Sequence, residues 1–122
     1  MMTQLENARK GKVSAEMKTV AAGEALDCDQ LLAAVASGQV VIPANRKHRN
    51  LKPIGIGKGM KTKINANIGT SGDFSSLEDE TRKLQTVLDC GCDTVMDLST
   101  GGDITAIRRA LLAQSSIPFG NV

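Results

Sequence analysis

Polar and apolar positions change rhythm partway along the chain. Residues 1 to about 50 hold three short helical patterns separated by small and polar residues. Thr3-Gln4-Leu5-Glu6 has capping-box spacing, with a hydroxyl for the N3 amide and a carboxylate reaching back to the N-cap amide. Ser14, followed by Glu16, starts a second helix that carries Met17 and Val20 and ends near Gly23. Asp27 or Asp29 caps a third, with Leu31, Leu32 and Val35 apolar before a stop at Ser37-Gly38. Gln39 to Pro43 reads as a short strand that the proline terminates.

From Lys61 onward the pattern alternates. Lys61 to Gly69 has period two and predicts a strand; Ser75 to Cys90 predicts a helix. Ser75-Ser76-Leu77-Glu78 is a second capping box, Leu77, Thr81, Leu84 and Leu88 share one helical face, and Gly91 supplies the stop. Asp93 to Ser99 is the next strand, Asp103 caps a helix with Ile104, Ile107 and Leu111 on one face, and Ile117 to Val122 begins a third strand. The expected class is α/β, with a helical region carrying short strands over residues 1–60 and a βαβαβ unit of parallel strands over 61–122. Parallel sheets need both faces covered, and a (β/α)8 barrel takes about 250 residues, so 61–122 reads as about a quarter of such a barrel. On that reading the chain is the front of a larger protein. Alone, its open edge at Val122 is expected to self-associate.

Composition narrows the function classes. Across 122 residues, 41% are hydrophobic and 23% charged, the balance of a folded domain and not of a disordered chain. Two phenylalanines without Tyr or Trp leave little for base stacking, and a net charge of +2 gives no nucleic-acid footprint. No apolar run approaches the roughly 20 residues of a membrane span, and the first residues lack the basic and apolar regions of a signal peptide. The chain is expected to be cytoplasmic. Three cysteines, Cys28, Cys90 and Cys92, do not make a disulfide framework, and no second pair or histidine cluster completes a metal site. Gly55-Ile56-Gly57-Lys58-Gly59 lacks the spacing of a phosphate loop and is read as a turn. Asn45 to Lys52, with four basic residues and His48, is read as a solvated loop.

The first strand of the second region is unusual. Alternation puts Lys63, Asn65 and Asn67 on one face, with Ile64, Ala66 and Ile68 on the face that helices cover. Asparagine is a poor strand former and buried amides need partners, so two on one face point to a polar ligand or to bonds with neighbouring strands. In the second strand Met96, Asp97 and Ser99 stand at the C-terminal end, where parallel α/β folds gather ligands. Unless the strand bulges, only one of Met96 and Asp97 can face that site; Asp97 otherwise caps an amide or pairs with Lys63.

Ile64-Asn65-Ala66-Asn67-Ile68-Gly69 with Ser71, and Asp93-Thr94-Val95-Met96-Asp97-Leu98-Ser99-Thr100-Gly101, resemble the first two strand signatures of the phosphomethylpyrimidine synthase family. Ile42-Pro43-Ala44-Asn45 and Thr3-Gln4-Leu5 with Ala8-Arg9-Lys10-Gly11 resemble it too, so the likeness runs through the chain in order. It implies a radical S-adenosylmethionine enzyme of thiamine biosynthesis, a lyase that rearranges 5-aminoimidazole ribotide into 4-amino-5-hydroxymethyl-2-methylpyrimidine phosphate with release of formate and carbon monoxide. It further implies a 4Fe-4S cluster, S-adenosylmethionine and zinc as cofactors, and a homodimer at full length. The substrate-binding asparagine and methionine of the family fall on Asn67 and Met96; no catalytic or metal residue carries over. The cluster cysteines and metal-binding histidines are absent from this sequence, so the chain alone is expected to be inactive. After Pro118, Phe119-Gly120-Asn121-Val122 has asparagine where the family has threonine, and no tyrosine follows. A related hydroxybenzimidazole synthase, or a truncated non-enzymatic paralogue, are the alternatives.

Overall fold

The computed structural model describes residues 2–122, which divide into two compact units. The first holds the chain up to Ala44 together with Lys52–Thr62; the second holds Asn45–Leu51 and Lys63–Val122.

Local capping chemistry shapes the first unit. In α1 (Gln4–Arg9) the Thr3 hydroxyl accepts from the Glu6 amide at 3.1 Å, and the Glu6 carboxylate accepts from the Thr3 amide at 2.6 Å. That reciprocal pair holds the Glu6 carboxyl below its ordinary pKa, chiefly through the Thr3 amide. Ser14 caps α2 (Ala15–Glu24), which overruns the expected end at Gly23; the left-handed position falls on Ala25, φ 55°. Asp27, not Asp29, caps α3 (Cys28–Ala36), accepting from the amides of Asp29 and Gln30. The core gathers Met17, Val20, Leu31, Val35 and Val40. β1 (Val40–Val41) pairs antiparallel with β2 (Ile56–Gly57), so the glycine-rich stretch read as a turn contains a short strand. The pairing demands glycine at position 57: a Cβ there would stand 2.1 Å from the Gln39 carbonyl oxygen, at φ 144°.

The second unit is a mixed α/β layer. β3 (Asn65–Ile68), β4 (Thr94–Asp97) and β5 (Phe119–Asn121) form a parallel sheet in that order, joined through α4 (Leu77–Asp89) and α5 (Ile104–Gln114). Ile68, Val95, Leu84, Val87, Ile107 and Leu111 make its buried core. Each strand is shorter than its predicted stretch. β3 starts late because the Ile64 amide donates to the Asp93 carboxylate at 2.8 Å and the Ile64 carbonyl accepts from the amides of Asp93 and Thr94. Ile64 is consequently exposed, contrary to its expected place against the helices. Lys63 likewise precedes the strand.

The cap of α4 is Ser76, one residue later than the capping-box reading, with its hydroxyl accepting from the Asp79 amide. Its buried stripe is Glu80, Leu84 and Val87; Leu77, placed on the inner face by periodicity, is 43% exposed. Gly91 stops the helix with φ 73°, and Asp103 caps α5 through the Ala106 amide. The basic segment is more than a solvated loop. Arg46, Lys47 and Arg49 are exposed, but His48 is buried, with Nε2 2.7 Å from the Ser115 carbonyl, so that nitrogen carries the proton. Asn50 donates to the Ala113 carbonyl at 2.8 Å. Both side chains satisfy backbone oxygens at the end of α5, which lack partners within the helix. No helix among the described residues is long and apolar enough to cross a membrane.

Candidate functional site

The period-two alternation of β3 and β4 sorts the side chains of the sheet into two faces. Ala66, Ile68, Val95 and Asp97 share one; Asn65, Asn67, Thr94 and Met96 share the other. Asn65 and Asn67 are exposed, Thr94 and Met96 half-buried. The register sets Asn65 beside Thr94 and Asn67 beside Met96, so both sequence-predicted site residues fall side by side. Met96 also pairs with Gly120, where a Cβ would lie 3.0 Å from the Met96 Cε. A bare backbone in β5 is thus what the methionine side chain rests against.

Hydrogen bonds link the polar members in one direction. Thr94 Oγ1 donates to Asn65 Oδ1 at 2.8 Å, and Asn65 Nδ2 donates to Asn67 Oδ1 at 3.0 Å. Asn65 therefore does bond a neighbouring strand, as one of the two readings expected, and bonds Asn67 as well. Thr94 is a member of this face that sequence reasoning missed, although counting back two from Met96 puts it there.

Asp97 takes the opposite face. It is fully buried, and its carboxylate accepts from the amide and hydroxyl of Ser99 and from the Arg108 guanidinium of α5. Burial pushes its pKa up, but the Ser99 hydroxyl and the Arg108 guanidinium outweigh burial and hold the carboxyl below its ordinary value. Asp97 thus caps an amide, as one local alternative expected, but its ion pair is with Arg108 of α5 and not with Lys63. It anchors the end of β4 and does not belong to the asparagine face.

The loops at the C-terminal ends of β3 and β4 are zipped together. Thr70 donates from its amide to Ser99 Oγ at 3.0 Å and from its hydroxyl to the Gly101 carbonyl at 2.6 Å, while the Thr100 amide donates to the Thr70 carbonyl at 2.9 Å. Gly69 permits this approach: at φ 152°, a Cβ would stand 2.7 Å from the backbone of Leu98 and Ser99. On the helix side Lys83 donates to the Gly69 carbonyl at 3.1 Å and pairs with buried Glu80. The asparagine face is thereby held on a stiff edge.

The described residues hold no group of three or more His, Cys, Asp or Glu that could bind a metal ion. Cys28 belongs to the first unit, Cys90 is exposed at the end of α4, and Cys92 packs on the second core. The second unit thus offers two thiols, short of the roughly three or four that an iron–sulfur cluster takes.

The family described as "Radical SAM ThiC family" matches residues 3–122. Proteins named phosphomethylpyrimidine synthase from Moorella thermoacetica and Desulforamulus reducens are each 52% identical to this chain over 121 residues. That from Carboxydothermus hydrogenoformans is 49% identical over the same length. Each alignment covers 99% of this chain and 28% of the relative, so the chain spans just over a quarter of the proteins it matches.

Proposed function

This chain belongs to the Radical SAM ThiC family, and we propose that it serves as the substrate-facing opening segment of a phosphomethylpyrimidine synthase in thiamine biosynthesis. The reaction proposed is the conversion of 5-aminoimidazole ribotide to 4-amino-5-hydroxymethyl-2-methylpyrimidine phosphate with release of formate and carbon monoxide. In this reading β3, β4 and β5 are the first three strands of a (β/α)8 barrel, α4 and α5 belong to its outer ring, and the asparagine face looks into the barrel. The first unit, which holds the chain up to Ala44 together with Lys52–Thr62, is the helical domain of the N-terminal region. A full-length cytoplasmic homodimer completes the assembly.

One observation carries the reading. Asn67, adjacent in register to half-buried Met96, is polar and exposed on a sheet face where a packed strand would be apolar. Asn67 offers an amide for the ribose, phosphate or amino-imidazole groups of the ribotide, and Met96 an adaptable apolar wall. The cluster and zinc find no fitting set of metal ligands among the described residues, so groups elsewhere in the full-length enzyme would hold them.

The test uses the full-length protein that carries this segment, reconstituted anaerobically and supplied with aminoimidazole ribotide and S-adenosylmethionine. Formation of pyrimidine phosphate with formate supports the proposal. A benzimidazole product, or no turnover, overturns it. The same protein with Asn67→Ala should lose ribotide affinity by roughly five- to a hundredfold, the range for one lost hydrogen bond to a polar ligand.

A further inference from the structure

We propose that Asn65 and Thr94 are positioning residues that fix the polarity of Asn67, turning its Nδ2 amino group toward the ligand. The inference rests on the reading of Asn67 as a ligand contact and adds to it the direction of the bond. An asparagine amide can rotate by half a turn and exchange donor for acceptor at almost no steric cost, so on an exposed face its polarity needs a neighbour to set it.

Here the neighbours set it in sequence. A hydroxyl that donates to Asn65 Oδ1 occupies the acceptor side of that amide, at 2.8 Å. The Asn65 amino group is thereby directed along the strand at Asn67 Oδ1, 3.0 Å away. With Asn67 Oδ1 drawn to Asn65 and one of its two lone pairs taken, Nδ2 is the group we assign to the ligand, and that nitrogen is a donor only. The ligand atom it meets must be an acceptor: a phosphate or ribose oxygen, or an unprotonated ring nitrogen. An exocyclic amino group does not qualify. Successive bonds of one sense also strengthen one another, so the terminal donor is stronger than an isolated amide.

The experiment is a double-mutant cycle in the full-length enzyme, reading ribotide affinity by calorimetry and melting temperature on the same samples. Asn67→Ala should weaken ribotide binding by roughly five- to a hundredfold, and Asn65→Ala by roughly three- to tenfold. If Asn65 acts through Asn67, adding Asn65→Ala to Asn67→Ala should cost no further affinity, although the loss of melting temperature from Asn65→Ala appears in full. Thr94→Ser keeps the donor and should bind normally, whereas Thr94→Val should resemble Asn65→Ala. Asn67→Asp, which exchanges the amino group for an oxygen, should bind no better than Asn67→Ala.

Multiplying affinity losses in the double variant, or normal affinity in Asn65→Ala beside a weakened Asn67→Ala, overturns the relay and leaves Asn67 as a contact. Retained affinity in Asn67→Asp overturns the donor polarity. Normal affinity in Asn67→Ala overturns the underlying contact itself.

Discussion

The two faces of the three-stranded sheet come from the same eight residues of β3 and β4, yet they obey different rules. One face is finished: Ile68 and Val95 are buried beneath Leu84, Ile107 and Leu111, and its only charge, Asp97, is matched by Arg108 and Ser99. The other carries two exposed asparagines beside a half-buried threonine and methionine. Burial decides the first face, where every polar atom needs a partner inside the fold. On the second, the amide of Asn67 keeps a donor uncommitted, which is tolerable only where water or a ligand can take it. The contrast locates stability on one side and, on the proposed reading, recognition on the other.

The comparison is sharpest where a substitution moves one property and leaves the other alone. Leu111→Ala, at a fully buried position, should destabilise the full-length enzyme by about 2–5 kcal/mol, read by denaturant melts, with ribotide affinity unchanged in the folded fraction. Arg108→Met should cost somewhat less, about 2–3 kcal/mol, because it strands the Asp97 carboxylate but Arg108 itself keeps some contact with water. Asn67→Ala should reverse the pattern, with an affinity loss of about 1–3 kcal/mol and a melting temperature close to the parent. A large fall in melting temperature with intact affinity would make the open face structural and erase the distinction.

Smaller effects refine it. The folded-state pKa of Asp97 lies below its unfolded value, so the unfolded chain takes up the proton first as pH falls. Its contribution to stability is therefore complete above the ordinary carboxylate range of about 4 and is lost as pH drops through the folded value. Asp97→Asn should remove that part of the acid sensitivity, measured as the difference between two pH-dependent melting curves. Ser76→Ala should cost about 1 kcal/mol at the start of α4 and leave both faces otherwise unchanged.

Features governed by neighbours within a few residues are legible in the sequence itself. Thr3, Ser14 and Asp103 cap the helices that their spacing predicts, and Gly91 stops α4. Alternation separates Asn67 and Met96 from the covered face, and register then brings them together. Tandem serines blur the start of α4 by one residue, because either hydroxyl can reach an N3 amide. What the sequence hides depends on distant partners. The strand at Ile56–Gly57 exists because Val40 and Val41 lie alongside it, and the fate of Asp97 is decided by Arg108 on the next helix. Glu80 stands among the acids of the first turn of α4, but the helix turns it inward, where Lys83 reaches it.

His48 and Asn50 reach Ser115 and Ala113 across 67 and 63 positions of sequence, and they belong to the second unit while the chain on both sides of them belongs to the first. The polypeptide therefore leaves one unit unfinished, contributes seven residues to the other, and returns. No single cut separates the two. A truncation beginning at residue 63 would keep every strand and helix of the sheet yet lose the clasp on the end of α5. Such long-range closure raises the contact order, and the second unit should fold late, after the segment from Asn45 to Leu51 has waited for α5 to be made.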